Sequence, residues 1–397
     1  MSVIRFKRFT RPQALAAMGR PLLLRFFDKF QLKRAEGELA LPAPDLPEGE
    51  WLGELARLFA SPEALPDSLV EALYAIDEMS TPEGQEQLEA AVAQAGLRLE
   101  SGEGSTRHDL ALQVWLAAPA LLARIHNQHR MRRLSVFEYF STTLPPEGRP
   151  PFAAPGPAGL QRIAELLDPW FARHQRGHNT SRIELYLLPE SAPPADAGRE
   201  FWFLVRHGDT FARAPKVEEQ RTEIIHFRPQ RDDVVVYAPE PDEIRVNSRT
   251  RGERDLYVRT FGLCLRGDED YFRARNAYTL EPLRAAGPDA LQADDIPGLD
   301  KVVLRGVQVA LDNDKHLVTL EGEDLFGCPP RRDGEPIPPQ GRLRCAAFDL
   351  HFTGCRRPRP LRIRPPNVLK IGRHCDAAVA HLWMARRAFR VGGLGGR

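Results

Sequence analysis

The sequence predicts a multidomain α+β protein. It divides into an N-terminal helical domain over 1–142, a proline-rich linker over 143–158, a central and mainly antiparallel α+β domain over 159–297, and a basic β-rich strand-and-helix module over 298–397. Three observations carry this expectation. Apolar residues recur at three- and four-residue steps through the first 130 positions, as amphipathic helices require. Later segments are short, rich in Ile, Val, Phe and Tyr, and separated by turns too short to hold crossover helices, so antiparallel pairing is favoured. Between the two regimes Pro145, Pro146, Pro150, Pro151, Pro155 and Pro157 crowd one stretch that suits neither helix nor central strand. The 397 residues allow two or three domains of roughly 100–200 residues each.

Taken in order, Leu15, Met18, Leu22, Leu23, Phe26, Phe27 and Phe30 predict one helix over 12–30, followed by a Pro, Glu and Gly linker over 41–49. Helical patterns over 51–59, 67–76, 82–95 and 108–129 are bounded by Pro, Ser/Thr or Gly. A helix over 159–174 opens the central domain. Strands are expected over 182–188, 200–205, 222–227, 233–237 and 243–246, with closing helices over 253–261 and 268–275. In the last hundred residues strands are expected over 301–308, 317–320, 343–352 and 361–363, with a helix over 376–389 and a glycine-rich tail over 391–397.

Composition narrows the class further. With 42% hydrophobic and 27% charged residues the chain has the profile of a globular protein. The most apolar stretches are broken by Arg25 and by Gln113, Pro119 and Arg124, well short of the ~20 residues a membrane span needs. No apolar core follows the charged N-terminus, so a cytoplasmic, bacterial-type protein is expected rather than a secreted one. Five cysteines without a Cys-x-x-Cys spacing suit reduced thiols, and no cofactor or metal is called for.

The near-neutral net charge of +1 conceals an uneven distribution. Residues 1–34 carry nine basic side chains against Asp28, and residues 330–397 carry fifteen against four, leaving an acidic middle. Basic ends of this strength are the electrostatic footprint of a surface that meets nucleic acid or an acidic partner, or that docks on the acidic middle itself. The densest element is Arg356, Arg357, Arg359, Arg362 and Arg364, in which Leu361 and Ile363 alternate with arginine. On a strand that spacing sends charge and apolar side chains to opposite faces. Arg386 and Arg387 on the following helix complete the expected phosphate contacts.

The strongest short motif is Phe201-Trp202-Phe203-Leu204-Val205-Arg206-His207-Gly208-Asp209-Thr210, an apolar strand opening into Arg-His-Gly-acid-Thr. It resembles the signature of the histidine phosphatase superfamily. The resemblance implies His207 as the nucleophile that attacks phosphorus and Arg206 as a phosphate ligand, with a second histidine that His351 would have to supply. It covers about ten residues, and the strands expected after it are antiparallel where that family is mainly parallel.

Weaker candidates complete the inventory. Arg124 and His129, like Arg173 and His178, fit the Arg-x4-His spacing of HEPN ribonucleases, a spacing expected several times by chance in so Arg-rich a chain. His174 and His178 stand four apart as metal ligands would, but without the metalloprotease glutamate. Cys345, His351, Cys355, His374 and Cys375 gather soft ligands at no standard zinc spacing. The acidic pairs Glu218-Glu219, Asp232-Asp233, Asp242-Glu243 and Asp294-Asp295 read as solvated loop charges. The sequence thus favours a nucleic-acid-associated, non-catalytic component of a larger cytosolic assembly. Its expected partners are DNA or RNA backbone and protein subunits, with no membrane contact. A phosphohydrolase built on His207 is the alternative. A protein-binding scaffold in phage defence or mobile-element systems is the second.

Overall fold

The structure, a computed structural model, describes residues 6–30, 41–43, 45–60, 65–99, 106–188, 199–218, 221–274, 276–311, 315–327, 336–371 and 377–391. The chain divides into two compact units, Met1–Met131 and Arg132–Arg397. Helices lead and a large antiparallel sheet follows, the α+β architecture that the patterning requires.

The first unit carries α1 (Pro12–Ala16), α2 (Arg20–Asp28), α3 (Glu48–Ala60), α4 (Asp67–Met79), α5 (Pro82–Ala95), α6 (Arg107–Ala117) and α7 (Pro119–Arg132). The helix expected over 12–30 is two helices, because Gly19 turns at φ +77° between them. The one expected over 108–129 also breaks: Ala118 leaves the helical region at φ −151°, as the ring of Pro119 favours for the residue before it. Thr81 caps α5 by accepting from the Gly84 amide at 3.0 Å, and Thr106 and Asp109 form a capping box at the start of α6. Phe26, Phe27, Trp51, Leu55, Phe59 and Leu73 build one buried core.

The second unit is organised by a ten-stranded sheet of order β2-β3-β6-β7-β1-β12-β11-β10-β8-β9. Its strands are β1 (Val136–Ser141), β2 (Arg182–Leu188), β3 (Glu200–Gly208), β6 (Gln230–Ala238), β7 (Glu243–Asn247), β8 (Leu299–Leu311), β9 (His316–Glu321), β10 (Arg342–Phe352), β11 (Arg359–Arg364) and β12 (Val368–Ile371). Every neighbouring pair is antiparallel. A separate ribbon pairs β4 (Ala212–Glu218) with β5 (Arg221–Phe227). Helices α8 (Pro157–Arg173) and α9 (Arg251–Arg266) pack Leu167, Phe171, Tyr257 and Phe261 onto Phe203, Val205, Val235 and Ile244 of the sheet. Two short segments, α10 (Pro282–Ala285) and α11 (Ala377–Arg386), follow α9, and Trp383 and Phe389 pack edge-on against Phe348 of β10.

Several expected boundaries move. β1 falls inside the segment assigned to the helical domain, and it sits mid-sheet, so the structural division lies near residue 131 rather than 142. The break expected near 297 is absent: β12 pairs with β1, and the strands of both segments form one sheet. The proline-rich stretch is also no free linker. Phe152 packs edge-on against Phe201 at 4.7 Å, and Arg266 donates to the Pro150 carbonyl. Gly267, at φ +79°, ends α9, and the segment that follows it, expected to be a helix over 268–275, is a run of turns as far as Arg273. Residues 275 and 376, at the ends of two expected helices, and the tail over 392–397 lie outside the described residues. Among the described residues no helix is long and apolar enough to cross a membrane.

Phe203 lies fully buried between the sheet and α9, with Phe261 edge-on at 4.9 Å. Phe203→Ala is expected to destabilise the second unit by about 3–5 kcal/mol, read as a shift in its urea transition.

Candidate nucleic-acid interface

Alternation along β11 sorts its side chains as the sequence requires. Leu361 and Ile363 are buried, while Arg362 and Arg364 are exposed on the other face. β12 repeats the pattern, with Leu369 and Ile371 inward and Lys370 exposed. The register sets Arg362 directly opposite Lys370, and Lys370 opposite Val136 of β1. On this face α8 and α9 cover the sheet as far as β1, where Arg254 of α9 pairs with Glu138 at 2.8 Å. Beyond Glu138, among the described residues, Val136, Lys370, Arg362 and Arg364 of this face are exposed. Arg362, Arg364 and Lys370 have no ion-pair partner among the described residues, and the nearby carboxylate of Asp349 is held by Arg305 at 3.3 Å.

The seven arginines expected to touch phosphate do not form one surface. Arg362 and Arg364 lie on the open face, and Arg356 and Arg357 are exposed in the turn from β10 to β11. Arg359 is opposite Leu350 and shares the face of Leu361 and Ile363. Arg386 and Arg387 are both tied to Asp295, Arg386 at 3.1 Å, and Arg387 also donates to the Gln292 carbonyl at 2.9 Å. Slight desolvation works against it, but the hydrogen bond from Arg386 and the charge of Arg387 hold the Asp295 carboxyl below its ordinary value. Arg390 likewise pairs with Glu243 at 2.8 Å. The last residue of α11 and two arginines that follow it are therefore paired with acids of the middle segment. Sequence reasoning missed Lys370, because a four-residue strand after two prolines carries little periodic signal.

The ribbon was half missed as well, since Pro215 argues against a strand; an isolated two-stranded ribbon tolerates it because its outer edges have no ladder to complete. Residues 209–211 and 228–229 join the ribbon to β3 and β6. One face carries Arg213 opposite His226, Pro215 opposite Ile224 and Val217 opposite Thr222, without a carboxylate. At its base Phe211 is 62% exposed, lies nearly parallel to His226, and has the Arg228 guanidinium 5.8 Å from its ring centre.

His207 is placed differently from a nucleophile. Its side chain is fully buried and stacks on Phe171 at 4.1 Å. Nδ1 donates to the Gly208 carbonyl at 2.8 Å, and Nε2 is 3.2 Å from Asp233 Oδ2. The Tyr257 hydroxyl donates to the same oxygen at 2.8 Å; burial, then the Asp233 charge, pushes this phenol well above its ordinary pKa. Arg231 bridges Asp233 and Glu253 at 3.3 and 3.5 Å, and Arg176 donates to Glu253. The other Glu253 oxygen accepts from the Thr250 amide at 2.7 Å, closing the capping box of α9. His207, Asp233 and Glu253 bring three ligand-type atoms within 4.8 Å of one another, but the two guanidiniums already neutralise both carboxylates. A divalent cation there would face two fixed positive charges.

Arg206 points to the other face of β3, where it pairs with Glu184 at 2.8 Å. The Arg-His pair that a phosphatase needs around one phosphate is thus divided across the sheet, as strand alternation dictates. His351 lies on β10, opposite Lys301 and six places from β3 in the sheet order, so it supplies no second histidine. The remaining candidates also separate. His129 is buried while Arg124 is exposed, and His126 is held by Glu78 at 2.9 Å. α8 ends at Arg173, and His174 stacks on Trp170 at 3.7 Å, so His174 and His178 share no helix face. Cys345 is buried and Cys355 exposed, while His374 and Cys375 lie outside the described residues. In comparisons with known proteins, no family model and no curated protein matches the chain.

Glu253→Gln keeps the shape of the carboxylate but leaves Arg176 and Arg231 without their common anion. It is expected to cost about 3–5 kcal/mol, measured by chemical denaturation of the purified variant.

Proposed function

We propose that the protein binds nucleic acid through the sugar-phosphate backbone, without catalysis, as a cytoplasmic component of a larger assembly. The observation that supports this reading is the open basic face of β11 and β12. Like charges placed directly opposite on neighbouring strands destabilise a sheet, and Arg362 and Lys370 stand so placed, beside Arg364, with no carboxylate to relieve them. An anion bound across the pair relieves that repulsion, and a polyanion does so for all three charges at once. Contacts of this kind fix position and carry no sequence information, so affinity should be similar across sequences and between DNA and RNA. The ribbon adds a surface of another character, an aromatic ring flanked by Arg228 and His226, the combination on which unpaired bases stack.

Binding is expected to weaken steeply with salt, since each neutralised phosphate contributes about 0.9 to the logarithmic slope on duplex DNA. Replacing Arg362 and Arg364 together by Ser should lower the slope by about 2 in mobility-shift titrations with mixed-sequence duplexes. Replacing Arg386 and Arg387, which serve Asp295, should leave it unchanged. If the first variant binds like the parent chain, the sheet face is not the interface.

Phe211→Ala should weaken single-stranded binding by about 1–3 kcal/mol, the usual worth of one base–aromatic stack, and leave duplex binding nearly intact. Equal losses on both substrates would remove the ribbon from the reading.

A further inference from the structure

A second basic site lies in the helical unit. The segment 7–14 and the start of α6 enclose a cleft of about 280 Å³ lined by Lys7, Arg8, Arg11, Ala14, Arg107 and His108. Four cations therefore converge on one concavity whose floor is partly apolar. Among the described residues Arg8 is the one committed to an acid, taking Asp77 at 3.3 Å and donating its amide to the same carboxylate at 3.0 Å. Lys7, Arg11 and Arg107 have no carboxylate partner among the described residues, and all three are exposed.

His108 lines the same cleft beside these charges. Its Nδ1 is closed off from solvent and has no hydrogen-bond partner among the described residues. Desolvation, then the charges of Arg107 and Arg8, lower its pKa below the ordinary value, against the opposite pull of Asp109 and Asp77. The amide end of the eleven-residue α6 adds the positive end of its dipole at the same place. Uncompensated like charges held together in a partly desolvated cleft repel, and a bound anion converts that repulsion into charge-assisted hydrogen bonds.

We propose that this cleft is a binding site for a phosphate-bearing anion, held by Lys7, Arg11 and Arg107 with His108 beneath it. The volume is at the small end of the roughly 300–1,000 Å³ typical of ligand pockets. It suits a pyrophosphate or a terminal phosphate with its first substituent, not an extended polymer. The group has two sources, a free phosphorylated small molecule or the phosphorylated end of a strand. The site does not depend on the sheet face of the second unit.

The test is calorimetric titration of the full chain with inorganic pyrophosphate at low ionic strength. Saturable binding is expected, weakened at least about tenfold by Lys7→Ser with Arg107→Ser. Both residues are exposed, and a circular-dichroism melt confirms that the variant folds. The Arg362→Ser, Arg364→Ser variant should bind pyrophosphate as the parent does, which separates this site from the backbone interface. Displacement by ATP assigns the site to a free nucleotide-type phosphate. Displacement by an oligonucleotide carrying a 5′-phosphate, but not by its 5′-hydroxyl counterpart, assigns it to a strand end. Absence of binding at millimolar pyrophosphate, binding indifferent to the Lys7 and Arg107 substitutions, or equal displacement by chloride at matched ionic strength overturns the proposal.

Discussion

Among the described residues, the six residues of β1 supply the strand ladder that joins the two halves of the sheet. One edge of β1 pairs with β7 from Glu138 to Ser141, and the other pairs with β12 from Val136 to Glu138. Where these ladders run out, side chains and loops finish the work: Asn247 donates to the Val136 carbonyl at 2.7 Å, Asn367 donates to that of Tyr139 at 3.1 Å, and Ser141 exchanges amide bonds with Ala274. Every buried peptide group must find a partner, so a central strand this short can exist only with such additions. Its two faces are equally committed. Phe140 enters the core beneath α8 and α9, while Tyr139 on the opposite side packs edge-on against Tyr278 and His381. The position of the basic surface follows from this arrangement, because α8 and α9 reach only to β1, and Arg362, Arg364 and Lys370 on the next two strands are exposed.

The buried ionic cluster around Glu253 serves the same architecture. α9 begins where Glu253 closes its capping box, and that carboxylate also collects Arg176 from the loop after α8 and Arg231 from β6. Three elements are therefore registered through one side chain. Burying several charges together is costly, and it persists only where partners are complete; here both carboxylates, both ring nitrogens of His207 and the Tyr257 hydroxyl are engaged. Gly208, the next residue, admits no side chain: a Cβ there would stand 2.3 Å from the Arg176 carbonyl. Crowding thus explains His-Gly at this strand end without catalysis. A resemblance carried by a few residues cannot distinguish a tripeptide selected by packing from one selected by chemistry.

The amphipathic helices and the apolar strands were legible because their periodicities differ and each covers several turns or alternations. β3 and β6 were legible in another way, as short unbroken runs of apolar residues that are buried on both faces. What escaped the sequence was short or non-local. β1 and β12 offer six and four residues, and their pairing across more than two hundred positions is set by the whole sheet. The breaks at Gly19 and Ala118 follow from local chemistry and were open to a stricter reading. At the candidate interface, the alternation of Arg362 and Arg364 with Leu361 and Ile363 was legible. The capture of Arg386 and Arg387 by Asp295 was not, since it joins positions more than ninety residues apart.

Those captures bear on how a charge excess should be interpreted. Counting placed fifteen cations in the last segment, yet ion pairs withdraw several of them, and a strand's two-residue repeat turns Arg359 to the opposite face from its neighbours. What β11 and β12 present on the face of Arg362 is small and oriented: three exposed cations on two adjacent strands, with Arg362 and Lys370 in register, beside a helix edge already neutralised by the Arg254–Glu138 pair. A surface kept basic only for solubility has no reason to oppose like charges across a ladder when Glu at either position would stabilise it by pairing. On the proposed reading the juxtaposition is a cost in the free protein that an anionic partner would remove on binding, so that relief of the repulsion would add to the affinity.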